Sequence, residues 1–436
     1  MKLKINNSSL QKIIANSSWL LLDKISRIFL GLTVTAWTAR YLGPESYGNL
    51  AYTLALVALC QTIAKLGLDT IVVRDISASD VRKEALLGTT LQLRVISGIT
   101  IYFLVVLFSF LTSDIETAIL FSLAGGAILF QSCDTIDLWF QSQSKSRFTV
   151  KAKLISYVIA SLLKIGLIIS SASIYWFAAI FSLETAITAM GLVFVYRKRP
   201  TERTWYLSKE VAIAKLKECF PYLVTSVSMV IYTRIDQIMI GNIIGSEELG
   251  VYSAILPFST LWNVIPVILS ISIAPYLAQL KKQNSIVYNY AISTLFSVFT
   301  FLGILTATVI SFLSPYFVSI ILGEQYANGI EVLRIHVLTN VFIYLGVAQG
   351  LWIVNEGKGY IALYRTLFGA AVSLVCNYYL LPIYGIVGAA CVAVFAQLSQ
   401  AVLSNVFFDR KILYLQIRCL LFIELFSVIK NRNSIR

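Results

Sequence analysis

Histidine is almost absent from this chain: His336 is the only one among 436 residues. That excludes a multi-histidine metal site and leaves no nucleophile–base pair to build around an imidazole. Charge is scarce too. Asp, Glu, Lys and Arg make up 13% of the residues, about half of the ~25% usual in soluble domains. No glycine-rich loop runs into Lys and Ser or Thr, which excludes an ATP-driven pump within these residues. The six cysteines, at 60, 133, 219, 376, 391 and 419, show no paired spacing and lie mostly in apolar runs. They read as packing residues and not as a disulfide framework. Lys2 and Lys4 are not followed by a compact apolar core and a small-residue cleavage site, so no cleaved signal peptide is expected.

What the chain has is apolar length. Hydrophobic residues make up 58% of it, and the mean hydropathy is +0.78. A bilayer crossing takes about 20 mainly apolar residues. Twelve windows qualify, at 13–39, 47–66, 88–111, 115–139, 152–173, 176–196, 219–244, 250–277, 289–313, 331–354, 361–381 and 385–408. The expected fold is therefore all-α: a polytopic membrane protein of about twelve transmembrane helices in two six-helix lobes around a central cavity. The lobes are expected at 1–196 and 219–408, a cytoplasmic linker at 197–218, and a basic cytoplasmic tail at 409–436 that lies on the membrane as an interfacial helix.

The sparse charges are unevenly placed. With the N-terminus in the cytoplasm, the loops on that side carry Lys65, Arg74, Arg82, Lys83, Lys145, Arg147, Lys151, Lys153, the run from Arg197 to Lys217, Lys281, Lys282 and Lys358. The opposite loops carry Glu45, Asp114, Glu116, Glu247, Glu248 and Glu324, with Arg40 as their clear cation. Cytoplasmic loops of membrane proteins are rich in Lys and Arg. This pattern fixes the orientation and accounts for the net charge of +13 without invoking nucleic acid. The halves look repeated. Gly43-Pro44-Glu45-Ser46-Tyr47-Gly48 closes the first loop of one and Gly245-Ser246-Glu247-Glu248-Leu249-Gly250 that of the other. Trp139 and Lys145 recur at the same separation as Trp352 and Lys358. Parallel repeats place a substrate site between them, near the midplane.

Charges at membrane depth carry the functional reading, because an ionised side chain there costs several kcal/mol unless it meets protein or water. Asp23, Lys24 and Arg27 cluster in the first helix, with Asp23 and Arg27 in the favourable acid-first order four residues apart. They read as a charged cavity wall. Arg234 and Asp236 lie in the apolar run 220–244 and point to nearly opposite sides of a helix, so they do not simply neutralise each other. Arg234 has the planar fork that grips phosphate; the competing reading is a structural ion pair. Asp236 is either a partner for Lys164 or Arg27, or a proton or sodium carrier. Lys164 and Glu184 both face inward, whether paired or not. Arg94 is expected to snorkel to the cytoplasmic interface. Asp134 and Asp137 share one helical face, which makes them an ion site or a hydrated helix end beside Trp139, a marker of the interface. Arg334 and His336 open the tenth helix, His336 as a satisfied polar residue. The candidate cationic contacts to a substrate are Arg234, Arg27, Lys24, Lys164 and Arg334. The candidate ion-coupling or ion-pairing acids are Asp236, Asp23, Glu184 and Asp134. No cofactor, metal or enzymatic constellation is expected.

Two stretches, Arg40-Tyr-Leu-Gly43-Pro44-Glu45-Ser-Tyr47-Gly48 and Arg234-Ile-Asp236-Gln-Ile-Met-Ile-Gly241, resemble the Wzx-type polysaccharide (O-antigen) flippases of the multidrug, oligosaccharidyl-lipid and polysaccharide exporter superfamily. The resemblance extends over the whole chain. It implies an undecaprenyl-pyrophosphate-linked oligosaccharide as cargo, moved from the cytoplasmic to the periplasmic leaflet of the inner membrane by alternating access. It also implies a polysaccharide polymerase and a chain-length regulator as partners. The two further helices usual in peptidoglycan-precursor flippases are not found. The alternative is a cation-coupled multidrug or small-solute exporter of the same superfamily. A membrane polymerase is disfavoured by the short outer loops.

Overall fold

The computed structural model describes residues 7–78 and 82–423, with side chains from Leu30 onward. The side chains of Asp23, Lys24 and Arg27 lie outside the described residues, as do Glu424 and the basic residues that follow it. The described backbone is helical, without a strand.

Among the described residues, ten segments are long and apolar enough to cross a bilayer. Two of them are double. Helix α1 (Asn7–Ala64) bends at Gly43, with φ 75° and ψ 168°, a conformation open almost only to glycine. Pro44 then starts the next limb, where its missing N–H costs nothing. The last segment, residues 359–408, bends likewise at Gly385. Counted by limbs, the expected twelve crossings are present.

The chain forms two compact units, residues 1–42 with 49–230, and residues 43–48 with 231–436. In the first, α1 is followed by a short helix that the sequence did not suggest, α2 (Leu68–Ser77). Then come α3 (Lys83–Thr112), α4 (Ile115–Phe130), α5 (Asp134–Ser142), α6 (Arg147–Ile169) and α7 (Ile174–Lys198). Asp114 caps α4 by accepting from the Thr117 amide at 3.0 Å, which satisfies one of the open donors of a helix start. A 3₁₀ turn over Gln131–Cys133 separates α4 from α5. Helix α7 packs on both α4 and α6, around Leu120, Phe121, Ala124, Ile128, Phe177 and Ala178. A second core joins Leu68 and Ile71 of α2 to Leu87, Phe140 and Leu192. Trp139 belongs to it and is buried, so it is not the interface marker expected: α2 packs on α5, and Lys83 Nζ stands 5.7 Å from its ring centre.

Helix α8 (Lys209–Ile243) contains the boundary between the units. The second unit continues with α9 (Ser246–Thr260), α10 (Val264–Gln283), α11 (Ser285–Tyr316), α12 (Gly329–His336), α13 (Thr339–Glu356), α14 (Gly359–Leu398), the single turn α15 (Asn405–Phe408) and α16 (Arg410–Leu420). Its core gathers Leu277, Phe296, Phe299, Tyr344, Leu345 and Ile361, together with Ile412 and Cys419 of α16. Helix α16 therefore docks one face on the protein and leaves Tyr414, Ile417 and Leu421 exposed. Asp409 caps it, accepting from the amides of Lys411 and Ile412, and takes a hydrogen bond from Lys358 Nζ at 2.9 Å. Burial would raise the Asp409 carboxyl, but the Lys358 ammonium and the two amides hold it below the ordinary carboxylate value.

The repeated loop motifs meet within the second unit. A Cβ on Gly48 would fall 1.7 Å from the Ser246 carbonyl oxygen, and one on Gly250 would fall 1.8 Å from that of Pro44. Ser246 and Pro44 are the second residues of the two motifs, so each closing glycine sits on the opening of the other. Such reciprocity is what a repeated sequence produces across a pseudo-twofold axis. Backbone blocks both positions. Gly250→Val should lower stability by about 1–3 kcal/mol through overpacking, read as thermal unfolding in detergent. Gly350→Ala, where no atom lies within 4 Å of the new carbon, should leave it unchanged. Equal behaviour of the two variants would contradict the contact.

Candidate functional site

The two units treat their membrane-depth cations differently. In the first, Arg94, Lys153 and Lys164 each find a carboxylate. Arg94 is 2% exposed and donates to Asp69 Oδ1 at 2.8 Å. It does not snorkel as expected, because α2 brings an acid to it. Lys153 lies between Asp134 and Asp137, 3.3 and 2.7 Å from their nearest oxygens. Like charges one turn apart repel unless a cation intervenes, and Lys153 is that cation, with Lys65 at 4.0 Å from Asp134. Lys164 pairs with Glu184 at 3.8 Å, which settles the pairing that the sequence left open. A cavity of about 400 Å³ opens on this network, lined by Lys65, Asp69, Asp134, Asp137, Gln141 and Lys153. Beyond it, Asp75 receives Lys215 at 2.5 Å and is bonded by Arg74 as well.

In the second unit the guanidiniums of Arg234, Arg334 and Arg365 rest on neutral groups. Arg234 is exposed and donates to Gln237 Oε1 at 2.9 Å; Gln237 passes the contact to Ser253 Oγ at 3.2 Å. Arg334 donates to Ser314 Oγ at 3.2 Å. It lines a cavity of about 810 Å³ with Glu248, Glu331, Tyr384 and Gly385. Arg365, which the sequence reading passed over, donates to Gln349 Oε1 at 3.0 Å and to the Gly346 carbonyl at 3.1 Å. Its signal was present: one charge five residues into the apolar run that starts at Ile361. Among the described residues none of these three is in an ion pair.

Among the described residues no cation is bonded to Asp236 either. It is buried and accepts from the Tyr252 hydroxyl at 2.6 Å and from the Gln237 amide; of its suggested partners, Lys164 is on Glu184 and the Arg27 side chain lies outside the described residues. Tyr252 stands edge-on to His336 at 6.0 Å between ring centres. The His336 imidazole is bonded through Nδ1 to Ser259 Oγ at 2.8 Å, the satisfied polar role expected of it. Arg234 and Asp236 make no direct bond but meet the same residue, Gln237, the first at its side-chain carbonyl and the second at its amide. All six cysteines are free.

The Lys153 bridge is testable. Lys153→Met leaves two partly buried carboxylates facing each other without their donor, which costs about 1–3 kcal/mol. Unfolding in detergent should show that loss, and adding Asp134→Asn and Asp137→Asn should recover much of it. An unchanged midpoint in the single variant would show the bridge to be idle.

Comparison with known proteins gives this geometry a setting. A model of the family described as polysaccharide biosynthesis protein matches residues 13–281. The capsular polysaccharide biosynthesis protein CapF of Staphylococcus aureus is 23% identical over 382 residues, covering 85% of this chain and 92% of CapF. Among solved structures, the lipid II flippase MurJ in an inward closed conformation superposes with a TM-score of 0.76 at 14% identity, over 97% of this chain and 100% of MurJ. An inward-facing multidrug resistance MATE family transporter of the MOP superfamily superposes with a TM-score of 0.68 at 16% identity, over 90% and 95% of the two chains.

Proposed function

Because this chain belongs to the polysaccharide biosynthesis protein family, we propose that it is a flippase for undecaprenyl-pyrophosphate-linked oligosaccharide units, the precursors of O-antigen or a related surface polysaccharide. It works in the inner membrane with both termini cytoplasmic. It carries the cargo from the cytoplasmic to the periplasmic leaflet by alternating access, alongside a polymerase and a chain-length regulator. Bare hydrocarbon opposes the passage of the glycan through desolvation of its hydroxyls. The diphosphate is opposed more strongly, as a charge. The transporter supplies polar groups for the first and cations for the second, while the polyprenyl tail stays in lipid.

The observation that carries this reading is the set of guanidiniums left on neutral partners in the second unit, at Arg234, Arg334 and Arg365. A site built for a cationic drug would not leave guanidiniums on neutral partners, although Glu248 and Glu331 do stand in the cavity beside Arg334. Arg is the side chain best suited to bidentate contact with phosphate oxygens. The kinship with CapF and the MurJ fold agree with such a cargo. A second reading, a cation-coupled exporter of small solutes, draws on the MATE likeness and on the buried Asp236.

Deletion of the gene should abolish surface polysaccharide and leave lipid-linked units on the cytoplasmic side. Complementation with Arg234→Ala should fail, and with Arg234→Lys should succeed in part. Asp236→Asn should alter the pH or sodium dependence of export if Asp236 couples an ion. Normal polysaccharide in the deletion strain, joined to drug sensitivity, would instead support the exporter.

A further inference from the structure

Arg365 has surroundings that the other two guanidiniums lack. A guanidinium has five N–H donors and no acceptor. Here one N–H of Nη1 goes to Gln349 and one N–H of Nη2 to the Gly346 carbonyl. Nε is shielded from solvent and has no partner. The Tyr232 hydroxyl is likewise shielded and without a partner, and its ring packs one turn along the helix that carries Arg365, Cε2 standing 3.2 Å from where a Cβ on Gly369 would sit. Two unsatisfied donors therefore lie along one face of this helix, and among the described residues no carboxylate is paired with the charge. A buried donor left open costs about 1–3 kcal/mol, and a cation without a counter-charge costs more.

The neutral partners are held rigidly. Gln349 Nε2 donates to Asn405 Oδ1 at 2.6 Å, Asn405 Nδ2 to Gln416 Oε1 at 2.8 Å, and Gln416 Nε2 back to Gln349 Oε1 at 3.4 Å. All three side chains are fully buried. The ring fixes the Gln349 carbonyl toward Arg365 and leaves the guanidinium little freedom to turn elsewhere. Beside it the chain leaves α-helical geometry: residues Ser399–Leu403 form a π-helical turn, from which Gln400 reaches Thr366 at 3.4 Å. Such turns inside helices are frequent at functional sites.

We propose that Arg365 and Tyr232 form an anion subsite for a phosphate-class group. Its source is either the diphosphate of the lipid-linked cargo or the headgroup phosphate of a bilayer lipid. The first source rests on the function proposed above; the subsite itself does not. A phosphate oxygen accepts from the open Nε and from the phenol together, satisfying both donors and supplying the missing negative charge.

The test uses the full chain in nanodiscs of phosphatidylcholine and labelled inorganic pyrophosphate as the probe. Wild type should bind saturably. Arg365→Gln should bind at least about tenfold more weakly and Arg365→Lys should fall between, since a point charge keeps attraction but not the fork. Tyr232→Phe, which changes neither charge nor bulk, should weaken binding about threefold through one lost hydrogen bond and serves if Arg365→Gln misfolds. Arg203→Gln, in the connector, should match wild type. Repeating the titration in phosphatidylglycerol discs separates the sources: competition assigns the subsite to a lipid headgroup, and unchanged affinity assigns it to the cargo diphosphate. No saturable binding by wild type, or equal binding by wild type, Arg365→Gln and Tyr232→Phe, overturns the subsite. Failure of the wild-type gene to restore surface polysaccharide to a deletion strain, with Arg365-dependent pyrophosphate binding intact, overturns the flippase function and leaves the subsite standing.

Discussion

An ionised side chain inside a bilayer must be neutralised or solvated by protein, and the molecule meets that demand in two ways. The first unit answers from its own sequence: Arg94 takes Asp69, Lys153 takes Asp134 and Asp137, and Lys164 takes Glu184. Those charges are settled, and they hold helices together. The second unit supplies amides, hydroxyls and carbonyls to Arg234, Arg334 and Arg365. These groups bond the guanidiniums without cancelling their charge, and under the proposed function that charge would meet an anion. Arg94 differs from them in having a carboxylate beside it.

The backbone makes such side chains tolerable. Apolar helices gain little from each other by hydrophobic burial inside lipid, so their association depends on close fit and on small residues. Gly48 and Gly250 are the clearest case, since each admits a carbonyl where any other residue would place a carbon. Gly43 and Gly385 do different work, turning the chain sharply between limbs. Helix α16 adds a polar anchor: Gln416 reaches into the second unit, and Asp409 ties the start of the helix to Lys358.

Much of this was legible before any coordinates. Apolar length gave the twelve crossings, because a helix in lipid must satisfy its own backbone and so announces itself by composition. The crowding of Asp134 and Asp137 on one helical face was visible, but it read as an ion site or a hydrated helix end, and only the fold shows Lys153 between them. What stayed hidden depended on tertiary neighbours. Arg94 reads as a snorkelling residue until α2 is seen to bring Asp69 to it, and Trp139 reads as an interface marker until the same short helix covers it. Arg365 escaped notice because a lone arginine near a helix start is ordinary in sequence. Its isolation from any acid becomes visible only in three dimensions.

The account centres on passage of a phosphorylated glycan lipid between leaflets, and reconstitution addresses that most directly. Purified protein is placed in liposomes with a polyprenyl-diphosphate oligosaccharide carrying a fluorophore on the sugar, and a membrane-impermeant reductant is added outside. The account predicts that protein-containing liposomes lose nearly all fluorescence while protein-free liposomes lose only the outer-leaflet fraction, and that polyprenyl oligosaccharide without the diphosphate moves far more slowly. Equal loss with and without protein, or equal passage of the uncharged analogue, would contradict it.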